Sequence, residues 1–256
     1  MRSTKHLVGL SLTLAVLFVF VLAQPSMGQI PGLPKLYDEF KMPETGTYVT
    51  YKVIHTKNKV ERITKLSLVG IEKSEGGIQP ILKEGEIKKV LEGGEVQPIS
   101  KPKGEDLYWF EQKDTDPKTG TVSIMKMLIS GNPQKIGTVH RMIVKSGKDP
   151  ASELPQAIIQ MINQTPSQKT EAEKPKIKNL GSEKVKIKDK TLECTHLRYS
   201  SPDKTTEDVW TNDKVPLFSL VKSTTPEATW ELLEYGTDAV SAIKEKPEVL
   251  EIPEQK

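Results

Sequence analysis

From residue 48 onward the chain alternates short apolar runs with clusters of turn residues. Residues 48–55 and 60–71 are rich in Val, Ile, Thr and Tyr, and the polar stretch 56–59 between them predicts a hairpin. Runs of the same type recur at 78–82, 87–91, 107–111, 122–129, 136–144, 184–187, 192–199, 207–211, 217–222 and 229–235. Glu75-Gly76-Gly77, Glu92-Gly93-Gly94, Asp116-Pro117-Lys118-Thr119-Gly120 and Gly131-Asn132-Pro133 punctuate them. Many short strands joined by tight turns predict a mainly β fold built on antiparallel sheet.

One segment breaks that pattern. After Asp149-Pro150 or a Ser152 cap, Leu154, Ile158, Ile159, Met161 and Ile162 fall on one face at helical spacing, which predicts a short amphipathic helix near 152–163. Pro155 is tolerated there only in a first turn. Residues 164–176 have no periodicity and are expected as an exposed charged loop. The tail 244–256, with Pro247 and Pro253, is expected to be disordered. Residues 29–45 carry Pro31, Gly32, Pro34 and Pro43 and form a lead-in segment with one helical turn around 36–40. The expected organisation is a single β-rich domain over 46–243.

The N-terminus has a different pattern. Arg2 and Lys5 precede an apolar run from Leu7 to Ala23, which Gln24 and Pro25 end. This is the layout of a cleavable export signal, residues 1–28. A membrane anchor wants about 20 apolar residues, and this run stops short. Small residues place cleavage after Ala23 or after Gly28, and no cysteine follows either site to take a lipid. A released, exported protein without a transmembrane anchor is expected.

Removing the signal takes away two of the 37 basic residues and none of the 34 acidic ones, so the remaining chain is nearly neutral. That balance argues against a nucleic-acid partner and against purely electrostatic docking on anionic lipid. Lys174, Lys176, Lys178, Lys184, Lys186, Lys188 and Lys190 mostly alternate with other residues, as on the solvent side of a strand and its turns. Cys194 is the only cysteine and can form no intramolecular disulfide. Its alternation with Leu192 and His196 makes it a buried packing residue. Sparing cysteine use in an exported chain points to a bacterial periplasm.

Candidate chemistry is sparse. There is no G-x-S-x-G elbow and no H-E-x-x-H or C-x-x-C, and His55, His140 and His196 are spread along the chain. Asp114 and Asp116 lack the rest of a calcium loop and, beside Pro117 and Gly120, are expected as turn formers. No catalytic residue, metal or cofactor is assigned, and a hydrolase with a dispersed site is the weakest alternative. Methionine is more informative. Of the five beyond Gly28, Met125, Met127, Met142 and Met161 fall in two adjacent predicted strands and the helix that follows. Flexible thioethers suit a surface that repacks around varied apolar ligands, although they also fill ordinary cores.

Two segments carry a family resemblance: Leu180-Gly181-Ser182-Glu183 leading through Val185 to Thr191-Leu192-Glu193-Cys194-Thr195-His196, and Asp208-Val209-Trp210 followed by Lys214-Val215-Pro216-Leu217 with Val221-Lys222. They resemble exported bacterial proteins of the LolA/LolB-like lipoprotein-carrier superfamily, with a Trp strand crossing by a polar turn to a V-P-L strand. The resemblance implies a strongly curved antiparallel sheet or incomplete barrel, closed by helices and holding acyl chains. On this reading Met125, Met127 and Met142 line the concave side, and the helix with Ile158, Met161 and Ile162 lies over them as a lid. The function expected is non-catalytic binding of a lipid or other apolar ligand in the periplasm. The alternative is a structural or interaction module of the cell envelope with a filled core and an envelope protein as partner.

Overall fold

A computed structural model describes residues 42–78, 100–101, 103–131, 138–164, 176–201 and 205–250. The signal at 1–28, the lead-in turn at 36–40, the run at 87–91 and most of the charged loop at 164–176 lie outside the described residues. The elements are β1 (Tyr48–His55), β2 (Glu61–Lys73), β3 (Gly77–Ile78), β4 (Ser100–Lys101), β5 (Asp106–Thr115), β6 (Val122–Ser130), β7 (Val139–Ser146), β8 (Ser152–Glu153), α1 (Gln156–Gln164), β9 (Lys176–Ile187), β10 (Lys190–Ser200), β11 (Thr206–Thr211), β12 (Leu220–Thr224), β13 (Ala228–Gly236) and β14 (Glu248–Val249). Twelve strands form one open, curved sheet in the order β14-β8-β7-β6-β5-β2-β1-β13-β12-β11-β10-β9, and β3 pairs with β4 apart from it. The fold is mainly β with a short helix, as expected from the strand pattern.

The topology is two meanders joined by one pairing. β1, β2, β5, β6, β7 and β8 run outward on one side, β13 back to β9 on the other, and β1 meets β13 from Tyr48↔Gly236 to His55↔Ala228. Gly46 fixes this junction. It holds φ at 94°, and a Cβ there would meet the Thr237 carbonyl at 2.4 Å, so only glycine fits.

Register slips put an extra residue at Val69 on β2, His140 on β7, Leu180 on β9, Val221 on β12 and Leu233 on β13. Each bulge bends its strand and sharpens the twist, which curls the sheet. In the second meander the β9–β10 turn comes back to β13: Lys188 Nζ donates to Glu234 at 3.0 Å, and the Lys190 ammonium lies over the Tyr235 ring.

Alternation along the first meander sorts side chains to two faces. Phe110, Met127, Met142 and Val144 join Tyr51, Val53 and Leu66 in the main core on one face. Leu107, Trp109, Ile124, Leu128 and Ile143 form a smaller core on the back with Ala151 and Ile243. The segment after β13 covers that back face. Buried Glu111 accepts hydrogen bonds from Ser241 Oγ at 2.7 Å and from the Ala242 amide at 3.0 Å, and Lys145 pairs with Glu245.

Several expectations are corrected. Residues 244–250, expected as disordered tail, are placed: β14 adds in parallel to β8, with the Glu248 amide on the Ala151 carbonyl at 3.0 Å and the Leu250 amide on that of Glu153 at 3.0 Å. Ser152 belongs to β8 rather than capping the helix, which starts at Gln156 after Pro155. β9 begins at Lys176, eight residues before the expected strand start, because an edge strand exposed on both faces shows no apolar alternation. Val215-Pro216-Leu217 lies in the turn before β12 instead of in a strand, and Leu217 holds φ at 67°.

Candidate functional site

The methionine positions lie on β6, β7 and α1. Met125, Met127 and Ile129 share one face of β6, the face turned to the main core, and Met127 stands opposite Met142 on β7. α1 packs on β7, and Ile158 and Ile162 meet the same core as Met125, Met127 and Met142, beside buried Leu154 and Ile159. Five of the six expected lining residues therefore come together. Met161 is half-buried and does not join that cluster.

Asn163 fastens the helix. Its Oδ1 accepts the Val139 amide at 2.8 Å and its Nδ2 donates to the Val139 carbonyl at 2.7 Å, so a side-chain amide takes the place of a neighbouring strand at the end of β7. The Leu154 amide adds a bond to the Met142 carbonyl at 2.9 Å. Beneath this cover Met142 is 1 % and Met127 5 % exposed, so their side chains fill the space they line.

Open space lies at the other end of the same core. A cleft of about 370 Å³ runs between β9 and strands β12 and β13, with Val185, Ile187, Val221, Leu232 and Leu233 as its apolar lining. Val221 and Leu233 are two of the bulged residues, so the bends that curl the sheet also shape the cleft. Trp210 forms part of the wall and is held from three sides. Its Nε1 donates to Glu183 at 2.7 Å, the His196 ring stacks on it at 4.2 Å, and the Lys222 ammonium lies over its face at 5.2 Å.

The network continues away from the cleft. His196 Nδ1 is 3.3 Å from Glu183 and Nε2 is 3.3 Å from Asp208, which accepts two parallel bonds from Arg198 at 2.7 and 2.9 Å. Those guanidinium bonds hold the Asp208 carboxyl below the usual carboxylate range. Four lysines stand around the cleft. Lys188 pairs with Glu234 and Lys222 with Glu231, while Lys184 and Lys186 have no acidic partner among the described residues.

No family model, no curated protein and no solved structure matches this chain.

Cys194 is 1 % exposed, with its thiol 3.6 Å from the Leu192 carbonyl, and burial pushes its pKa up. This is the setting of a packing residue rather than of a nucleophile. His55, His140 and His196 sit on β1, β7 and β10. Asp116 caps its turn by accepting the Lys118 amide at 2.8 Å, as expected of a turn former. Asp114 differs: it lies within β5 and accepts from Thr64 Oγ1 at 2.6 Å and Gln112 Nε2 at 2.8 Å, which makes it a cross-strand partner. The cleft was not foreseen from sequence. Its lysines read as a solvated face, and its apolar residues come from strands that only the bulges bring together.

Proposed function

We propose that this is an exported, non-catalytic binding protein of the bacterial envelope that shelters a lipid or another apolar ligand against the concave face of its sheet, with α1 as the cover. The observation that carries the reading is the meeting of Met125, Met127 and Met142 under a nine-residue helix with Ile158 and Ile162 on its inner side. Thioethers repack at low cost, and a helix this short gains its stability from docking rather than from its own hydrogen bonds. A cover of that kind can leave as a unit. Each methylene of an acyl chain that enters then gains about 0.8 kcal/mol, so a long chain outweighs the ordering cost of binding. The apolar run at 7–23 supports export, and the LolA/LolB-like resemblance supports acyl cargo.

A second reading, a structural or interaction module of the envelope with a filled core, is favoured by the near-complete burial of Met127 and Met142.

An environment-sensitive fatty-acid probe separates the two when titrated against delipidated wild type, Asn163→Ala and Ile158→Lys, with folding checked by circular dichroism. The carrier reading expects saturable binding by the wild type, faster uptake by Asn163→Ala because the cover is loosened, and loss in folded Ile158→Lys. Binding by none of the three would replace the carrier with the filled-core module. Met127 is unsuitable for the lysine test, since a charge at so buried a site tests folding instead.

A further inference from the structure

α1 meets β7 with polar as well as apolar side chains. Gln156, Gln160 and Asn163 follow one another at spacings of four and three, so they lie along one line of the helix, beside buried Ala157 and Ile159. Two of the three amides reach the β7 backbone: Asn163 makes its paired bonds with Val139, and Gln156 Nε2 donates to the His140 carbonyl at a long 3.4 Å. Gln160 stands between them and is 1 % exposed, yet neither its Nε2 nor its Oε1 has a hydrogen-bond partner among the described residues, and the buried Oε1 of Gln156 has none either. We infer that Gln160 is a built-in release element: its unpaired amide keeps the docking of α1 weak, so that the helix leaves the sheet as a unit while the sheet stays folded.

In water a primary amide is hydrogen-bonded at both its nitrogen and its oxygen. Buried without partners it forfeits those bonds, which weakens the docked state by roughly five- to 150-fold for each unpaired group. Undocking returns both Gln160 atoms to water and recovers them. An apolar side chain of the same length would carry no such penalty. Against this release stand the burial of Ala157 and Ile159 and the two bonds of Asn163. A nine-residue helix is not stable in water by itself, so α1 unwinds when it leaves the sheet and its backbone amides become open to exchange. β7 does not need the helix for its own pairing, because it is bonded to β6 from Ser123↔Ser146 to Ile129↔Val139. The release element serves the carrier reading above, in which α1 covers the methionines, and rests on that reading for its purpose; the docking balance itself is measurable without a ligand.

Hydrogen exchange of the delipidated protein, read by mass spectrometry over residues 156–164 and over the strands, provides the test. Gln160→Met keeps the length of the side chain without its polar atoms and should slow exchange across α1 by about fivefold or more. Gln160→Leu repeats the substitution with a second apolar shape. Gln160→Glu places a charge at the same buried point and should speed exchange across α1 by about tenfold or more, with β1, β2 and β5 as protected as in the wild type. Exchange that slows in neither apolar variant would overturn the inference, since the amide would then be helping to hold the helix down. Equal acceleration of α1 and the strands in Gln160→Glu would also overturn it, because helix and sheet would be opening together. The fatty-acid probe separates this result from the carrier reading. Slower exchange with slower probe uptake in Gln160→Met supports both, whereas slower exchange with unchanged uptake supports the release element and takes α1 out of the ligand's route. Probe uptake by the wild type with no change of exchange in either apolar variant would overturn the release element and leave the carrier standing.

Discussion

The two meanders of the sheet are built from strands of similar length and pair along β1 and β13, yet they differ in what covers them. β5 to β7 are enclosed on both faces, by α1 and the main core on one side and by residues 239–243 on the other. β9 is exposed along nearly all of its length, with Ile177 52 % accessible. The cleft beside Trp210 lies in the less covered half. The two halves of one sheet thus differ in their cover rather than in their strands.

The largest test of this contrast is cavity formation. Met142→Ala and Ile159→Ala each empty a site under α1 and should cost about 2–5 kcal/mol in urea unfolding. A cost below about 1 kcal/mol at both would mean that the enclosed half is loosely packed, and would favour a ready-made cavity there. Next is the strap on the back face. Glu111→Ala removes the acceptor for Ser241 and Ala242 and should cost about 1–3 kcal/mol. Proteolysis should then begin within 237–247, and cutting elsewhere first would show that the strap is held by Ile243 alone.

In the curled half the effects are smaller. Cys194→Ala should cost about 1 kcal/mol without loss of folding, and the thiol should resist labelling until denaturant is added. Fast labelling in native buffer would show that the β9–β10 hairpin opens readily.

The smallest effect is a pH slope. Burial raises the pKa of Glu207, and a hydrogen bond from Ser223 at 2.6 Å only partly offsets this. The folded state therefore holds that proton more firmly than the unfolded chain does, and stability falls as pH rises from the ordinary carboxylate range to the raised value. Glu207→Gln cannot titrate. Its stability relative to wild type should improve with pH across that window and stay flat outside it, as unfolding at a series of pH values would show. Parallel curves would mean that Glu207 is solvated.

Where one face of a strand is buried, the sequence was readable. Met125, Met127 and Ile129 alternate with polar or opposite-facing residues, and their shared face is the one the structure packs. Where neither face is buried the signal vanishes, so the pattern marks β9 only from Lys184 onward. The pairing of β14 with β8 was illegible for another reason: two backbone hydrogen-bonded residues leave no periodicity, and only Ile243 anchors the approach. The V-P-L segment misled because Val215, though β-branched and buried, is buried within a turn. The methionine cluster follows from spacing, whereas the cleft depends on bulges at Val221 and Leu233 that have no mark in the sequence.

The claim that this protein carries an apolar ligand is tested most directly by native mass spectrometry of the protein released from the envelope of its source cells without detergent. The account predicts a mature chain cleaved after Ala23 or Gly28 together with a second population heavier by a lipid-sized mass, which disappears after solvent extraction. A chain that retains residues 7–23, or a mature chain found only at its own mass and unable to take up a fatty-acid probe, would contradict it.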